Sequence, residues 1–272
     1  MNFTDKLLAA ARKNKSWLCI GLDPVPKSMP PVGLLSFNKS IIENTADLVC
    51  AYKPNLAFYE ALGIDGLKAL EKTLEYIPKD IPVIGDAKRG DIGHTAEAYA
   101  RALFEVWGFD AATVNPYFGY DSLEPFFAYK EKGVFILCKT SNPGSMDFQD
   151  MACQQVQGEG KPVPLWELVA LKTRGWNREG NLGLVVGATF PEQLKRLREL
   201  CPDLPVLIPG IGTQGGDLEL AVRYGSDKKG EKAIVSISRD IIYASRDKDF
   251  ALAARNSAAQ WRRKMSEILP GK

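Results

Sequence analysis

Short apolar runs alternate with longer segments of helical period from residue 17 to residue 267. The apolar runs predict strands at 17–22, 48–53, 82–86, 112–115, 134–139, 182–186, 205–208 and 233–237. Helices are expected between them, near 38–47, 64–76, 91–107, 121–131, 164–176, 191–200, 215–224 and 248–267, several opened by Ser, Asp or Pro. Shared among eight such units, 272 residues give 34 apiece, which suits a strand and its crossover helix. No Pro/Gly/Ser-rich linker divides the series, so the expectation is an α/β chain forming a single (β/α)8 barrel, the TIM barrel, over 1–272. Residues 1–16 carry Asp5, Lys6, Arg12, Lys13 and Lys15 among apolar positions and are expected to form an N-terminal helix rather than a signal segment. One stretch breaks the rhythm. Residues 141–164, rich in Gln and Gly, are expected to be a long loop.

Several classes of function are disfavoured by composition. Lys and Arg number 35 against 33 Asp and Glu, with no long run of one sign, so neither a nucleic-acid nor a membrane partner is expected. No run of about 18 apolar residues exists to cross a bilayer. The five cysteines, Cys19, Cys50, Cys138, Cys153 and Cys201, include no C-x-x-C pair, and a reduced, cytoplasmic protein is expected. A single histidine, His94, argues against a His-rich zinc cluster and turns attention to Asp, Lys and Arg. The tryptophans Trp17, Trp107, Trp166, Trp176 and Trp261 are read as packing residues.

A barrel collects its chemistry where strands end. Polar residues recur there: Asp23 after the first expected strand, Lys53-Pro54-Asn55 after the second, Asp86-Ala87-Lys88 after the third, and Asn115 after the fourth. Lys139-Thr140-Ser141, Pro209-Gly210 and Ser238-Arg239 follow the fifth, seventh and eighth. Side chains two apart on a strand share a face, so Asp86 and Lys88 should point together into the barrel mouth, with Asp91 in the loop beyond. Two carboxylates flanking one ammonium favour protonated Lys88, a proton donor rather than a Schiff-base amine.

The run Ile84-Gly85-Asp86-Ala87-Lys88-Arg89-Gly90-Asp91-Ile92-Gly93-His94-Thr95 resembles the D-x-K-x-x-D-I-G-x-T signature of the orotidine 5′-phosphate decarboxylase family. The likeness extends to Asp23, Lys53, Ser141, the Pro209-Gly-Ile-Gly-Thr-Gln214-Gly-Gly stretch and Ser238-Arg239 in the family order, and the length is similar to the longer bacterial-type subgroup. The resemblance implies decarboxylation of orotidine 5′-monophosphate to uridine 5′-monophosphate in pyrimidine synthesis, with no metal and no cofactor. Catalytic roles would fall to Lys88, Asp86, Asp91 and Lys53. Substrate would be bound by Asp23, Thr95, Ser141, Pro209, Gln214, Ser238 and Arg239. Within that set Lys53 bridges Asp23 and Asp86, Ser141 meets the pyrimidine amide edge, and Gln214 links phosphate to base. The Gly-rich turn 210–216 offers backbone N–H groups to an anion, and Arg239 offers a bidentate fork. Many family members carry Gly where this chain has Ser238. His94 falls at a variable position of the signature and is given no role.

The resemblance also implies a homodimer with composite sites, in which Asp91 and Thr95 cross into the partner's barrel mouth. Two other readings stay open. One is a metal-dependent phosphosugar enzyme of the same superfamily, a hexulose-phosphate synthase or keto-gulonate-phosphate decarboxylase. The other is a catalytically silent nucleotide-binding barrel.

Overall fold

The computed structural model describes residues 2–154, 161–213 and 215–268. Eight parallel strands run β1 (Leu18–Leu22), β2 (Ala51–Pro54), β3 (Ile84–Arg89), β4 (Ala111–Val114), β5 (Gly133–Lys139), β6 (Leu182–Val186), β7 (Val206–Pro209) and β8 (Ala233–Ile237). Their order in the sheet is β2-β1-β8-β7-β6-β5-β4-β3. Bridges from Tyr52 to Val83 and from Asn55 to Asp86 join the two ends, so the sheet closes on itself as the sequence predicts. Helices α1 (Phe3–Asn14), α2 (Leu34–Thr45), α3 (Leu56–Glu60), α4 (Gly63–Tyr76), α5 (Gly93–Arg101) and α6 (Tyr120–Phe127) belong to the first half. Helices α7 (Met146–Gln149), α8 (Leu165–Trp176), α9 (Pro191–Leu200), α10 (Leu218–Gly225), α11 (Arg239–Ile242) and α12 (Phe250–Ile268) complete the chain.

Strand alternation sorts the core into two regions. Leu18, Ile20 and Leu22 of β1 face outward and pack with the helices, as do Val134, Ile136 and Cys138 of β5. The positions between them face inward: Cys19, Ala51, Ile84, Ala111, Phe135, Val185, Leu207 and Ile234 form an apolar plug inside the barrel. Phe3, Leu7 and Ala11 of α1 join this plug, with the rings of Phe3 and Phe135 edge to face at 5.6 Å. Helix α1 therefore closes the end where the strands begin. Two residues further along each strand the inward positions become Gly21, Lys53, Asp86, Thr113, Leu137, Gly187, Pro209 and Ser236. The layer above the plug thus brings in the polar side chains Lys53, Asp86, Thr113 and Ser236, and it lies at the strands' C-terminal ends.

Several elements differ from expectation at their edges. The expected second strand began at 48, but Ala46–Leu48 is a 3₁₀ turn and β2 starts at Ala51. The helix expected over 91–107 stops at Arg101 and continues as a π-helical turn, Ala102–Val106. The stretch expected to be an irregular loop contains a 3₁₀ turn at Pro143–Ser145, helix α7, and a short antiparallel ribbon pairing Ala152–Cys153 with Val163–Pro164. Trp166 is buried in the core, and Trp17, Trp107, Trp176 and Trp261 pack against it.

Candidate active site

Asp86 is nearly buried, 7% exposed, at the inward position two residues beyond Ile84. Lys53 Nζ donates to its Oδ2 at 2.7 Å, and Lys88 Nζ donates to its Oδ1 at 2.6 Å. The Thr113 hydroxyl, from β4, also donates to Oδ1 at 2.9 Å. Burial opposes the Asp86 charge, but Lys53 and then Lys88 outweigh it and hold the carboxyl well below the usual carboxylate range. Burial also opposes the charge on Lys53, and Asp86, reinforced by the more distant Asp23, raises its pKa above that of a free lysine. The Asp86 carboxylate and the Lys53 ammonium are therefore held ionised at neutral pH, and the Lys88 side chain donates to the same carboxylate.

Lys88 reaches this geometry through an unusual backbone. Its φ is +48°, a left-handed conformation that costs an L-residue roughly 1–2 kcal/mol. The register between β3 and β4 shifts between Gly85 and Arg89, and the Lys88 N–H donates to Thr113 Oγ1 at 3.0 Å. One threonine hydroxyl thus accepts from the Lys88 backbone while donating to Asp86. The Lys88 side chain remains 46% exposed, with its ammonium at the floor of an open cavity of about 450 Å³.

Of the residues named as site candidates from the sequence, Asp23, Lys53, Asp86, Lys88, Ser141, Pro209, Ser238 and Arg239 line this cavity. Asn55, Thr113, Asn142 and Thr213 line it too and were not singled out as site residues. Asp23 accepts from the Ser238 hydroxyl through Oδ2 at 2.6 Å, while its Oδ1 is buried without a hydrogen-bond partner among the described residues. The expected bridge from Lys53 to Asp23 is not made as a hydrogen bond; the Lys53 ammonium lies on Asp86. At the rim, the Arg239 guanidinium is exposed and has no ion-pair or hydrogen-bond partner among the described residues. Beside it, the turn after β7 passes through Gly212 at φ +81°, where a Cβ would come within 2.1 Å of Asp240 Oδ2. Thr213 fastens the same turn by donating to Asp240 Oδ1 at 3.2 Å. Gln214 lies outside the described residues.

Two expected site residues are placed elsewhere. Asp91 does not flank Lys88 within its own chain: its Oδ1 accepts from the Ile92 N–H at 2.8 Å, off the cavity. Thr95 is exposed on the first turn of α5 and does not line the cavity. His94, also exposed, pairs with Glu97. Lys139, expected among the polar residues of the mouth, instead turns away from the cavity, where its buried ammonium meets Asp150 at 2.8 Å and the Phe190 ring.

A closed parallel barrel with a Lys–Asp–Lys cluster on its floor and an exposed guanidinium at its rim belongs to the barrel enzymes that act on anionic substrates. Residues 16–254 match the model of the orotidine 5′-phosphate decarboxylase / HUMPS family. A protein of Dehalococcoides mccartyi named orotidine 5′-phosphate decarboxylase is 54% identical over 264 residues, 96% of each chain. One of the same name from Cupriavidus taiwanensis is 48% identical over 281 aligned positions, covering all of both chains. Among solved structures, the Leishmania donovani OMP decarboxylase superposes with a TM-score of 0.85 at 38% identity over 98% of both chains. The chain belongs to the orotidine 5′-phosphate decarboxylase / HUMPS family of enzymes.

Proposed function

We propose that this barrel decarboxylates orotidine 5′-monophosphate to uridine 5′-monophosphate, the whole chain acting as one domain, with Lys88 delivering the proton to C6. The observation that carries the reading is the Asp86 carboxylate held between Lys53 and Lys88 on the floor of the cavity. Loss of CO2 breaks the bond from C6 to the carboxylate carbon and leaves its electron pair on C6. That pair has little resonance relief, so a fixed positive charge beside C6 is what lowers the barrier. Lys88 supplies the charge and then the proton, which forms the C6–H bond of the product. Asp86 holds the ammonium in place and stays ionised throughout, and a substrate carboxylate lying against it is relieved of repulsion as it leaves as neutral CO2.

The remaining positions suit a nucleotide. Asp23 and Lys53 are assigned to the ribose hydroxyls, and Ser141 to the pyrimidine amide edge. Pro209, which lines the cavity, is assigned a place beside the nucleotide. Arg239 and the turn after β7, with the Ser238 backbone, take the phosphate, and Gln214 is assigned the link between phosphate and base. Binding energy from the phosphate can then be used at C6, some distance away. Asp91 and Thr95 are assigned to the partner's site in a homodimer. No metal or cofactor is assigned a role, because both Asp86 oxygens already accept from cationic or hydroxyl donors and a divalent cation there would have to displace two ammonium groups.

The purified chain is expected to consume orotidine 5′-monophosphate, followed by its ultraviolet absorbance, at the same rate with and without a metal chelator. Strict dependence on added metal would move the assignment to the phosphosugar branch of the family. No consumption under either condition would leave a silent nucleotide-binding barrel.

A further inference from the structure

The end of β1 is gripped by two hydroxyl groups from the segment that follows β8, and neither has a role in the reaction above. Ser238 donates to Asp23 Oδ2 at 2.6 Å. The Tyr243 hydroxyl donates to the Asp23 backbone carbonyl at 2.9 Å and accepts from the Val25 N–H at 2.6 Å. We propose that Ser238 and Tyr243 are positioning residues that orient Asp23 for reading a ribose hydroxyl. Ser238 occupies one carboxylate oxygen so that the other faces the sugar, and Tyr243 fixes the backbone beneath it. This deepens the nucleotide reading given above and rests on it.

A carboxylate on a single Cβ turns readily about its last torsion, and an unheld one presents either oxygen to a ligand. Here one choice is imposed. Oδ2 is taken by Ser238, and Oδ1 is buried without a partner among the described residues, in a side chain that lines the cavity. An unpaired buried carboxylate oxygen is costly unless a donor arrives, and a sugar hydroxyl is such a donor. The chain makes room for the arrangement at a second position. A Cβ on Gly21 would lie 1.7 Å from Ser238 Oγ, so only glycine in β1 lets the serine hydroxyl reach across. Tyr243 is itself held, its ring stacked on Phe37 at 5.8 Å, so its hydroxyl is a fixed point rather than a mobile one. Ser238 directly precedes Arg239, so the segment assigned to the phosphate also sets the carboxylate assigned to the ribose.

The test is calorimetric titration of uridine 5′-monophosphate and its 2′-deoxy and 3′-deoxy forms into wild type, Ser238→Ala and Tyr243→Phe. Wild type is expected to prefer the ribonucleotide over the deoxy form that lacks the hydroxyl facing Asp23. Ser238→Ala should weaken ribonucleotide binding by about tenfold, the loss typical of one charge-assisted hydrogen bond, and change that deoxy form by less than about twofold. Tyr243→Phe should show the same pattern in smaller measure. Should Ser238→Ala not fold, Ser238→Gly removes the same hydroxyl, and Tyr243→Phe stands independently. Equal weakening of all three nucleotides, or an undiminished ribose preference in the variants, overturns the proposal. So does a wild type that binds all three alike. A wild type that neither binds uridine 5′-monophosphate nor turns over orotidine 5′-monophosphate overturns the nucleotide reading and the positioning role together. Turnover with an unaltered preference in the variants overturns the positioning role alone.

Discussion

At Asp86 two ammonium groups share one carboxylate, and removing that charge leaves Lys53 and Lys88 to repel each other on the cavity floor. The pH response follows from the direction of the shift. An aspartate whose folded pKa lies below its unfolded value of about 3.9 gives stability that is present above that pH and is lost as pH falls through the folded value. Denaturant midpoints should therefore decline from about pH 4 downward, and Asp86→Asn should lack that part of the slope. An acid slope unchanged by the substitution would mean that Asp86 is not the titrating group. Lys53 has the opposite sign: its raised pKa gives stability fully present below about pH 10.4 and lost only as pH climbs further. Lys88 is the chemical partner in this set, so Lys88→Ala should lower turnover by more than about 10³-fold while uridine 5′-monophosphate still binds. Near-normal single-turnover rates would remove Lys88 from the reaction. Asp86 and Lys88 are legible in the sequence because a period of two places both on one face. Thr113 is not, since threonine in an apolar run reads as an ordinary strand former. The positive φ of Lys88 leaves no mark at all, because the β3–β4 register shift that imposes it is a tertiary fact.

Strand β5 shows what an element adds beyond its own sequence. Periodicity locates it almost to the residue, 134–139 against the observed Gly133–Lys139, and its polar end reads as one more contribution to the barrel mouth. Of that polar end, Thr140, Ser141 and Asn142 reach the cavity, while Lys139 is withdrawn behind them to Asp150. The partner comes from the segment after the strand, whose weak period gives no hint that it folds back. Thr140 is tied to it as well, its N–H donating to Gln149 Oε1 at 2.9 Å. The segment from Pro143 to Asp150 is therefore held at the end of β5 by an ion pair and amide contacts, and it fixes the base from which Ser141 projects. Asp150→Ala leaves a buried ammonium facing only the Phe190 ring. Because Asp150 is itself 38% exposed, the cost should be below that of a fully buried pair, about 2 kcal/mol in chemical denaturation. The double variant Lys139→Met/Asp150→Ala should recover most of that loss, since an apolar stem in an apolar site needs no partner. An equal loss in the double variant would show that packing of the segment, rather than the unpaired charge, is what the aspartate supplies.

On the scale of the whole molecule, the signature run has a division that one chain does not reconcile. Asp86 and Lys88 sit on the cavity floor, while Asp91 and Thr95, a few residues later, lie outside the cavity on the loop and first turn of α5. Ile92 next to them, and Tyr117, Phe118 and Tyr120 in the segment after β4, are large apolar residues left exposed, and together they make a candidate patch for a partner. A second copy related by a two-fold axis through this patch would cover it and carry each Asp91 toward the other chain's Lys88, giving two composite sites per dimer. The consequence can be measured with two inactive variants, Lys88→Ala and Asp91→Ala, mixed in equal amounts under conditions that exchange subunits. In a mixed dimer one site carries both lesions, and the other combines native Lys88 with native Asp91. Random exchange makes about half of the dimers mixed, each with one intact site of two, so roughly a quarter of wild-type activity should return. Exchange is verified independently by differently tagged subunits eluting together. If mixed dimers form and stay inactive, Asp91 serves its own barrel, and the loop carrying it must then move inward to reach Lys88 within one chain.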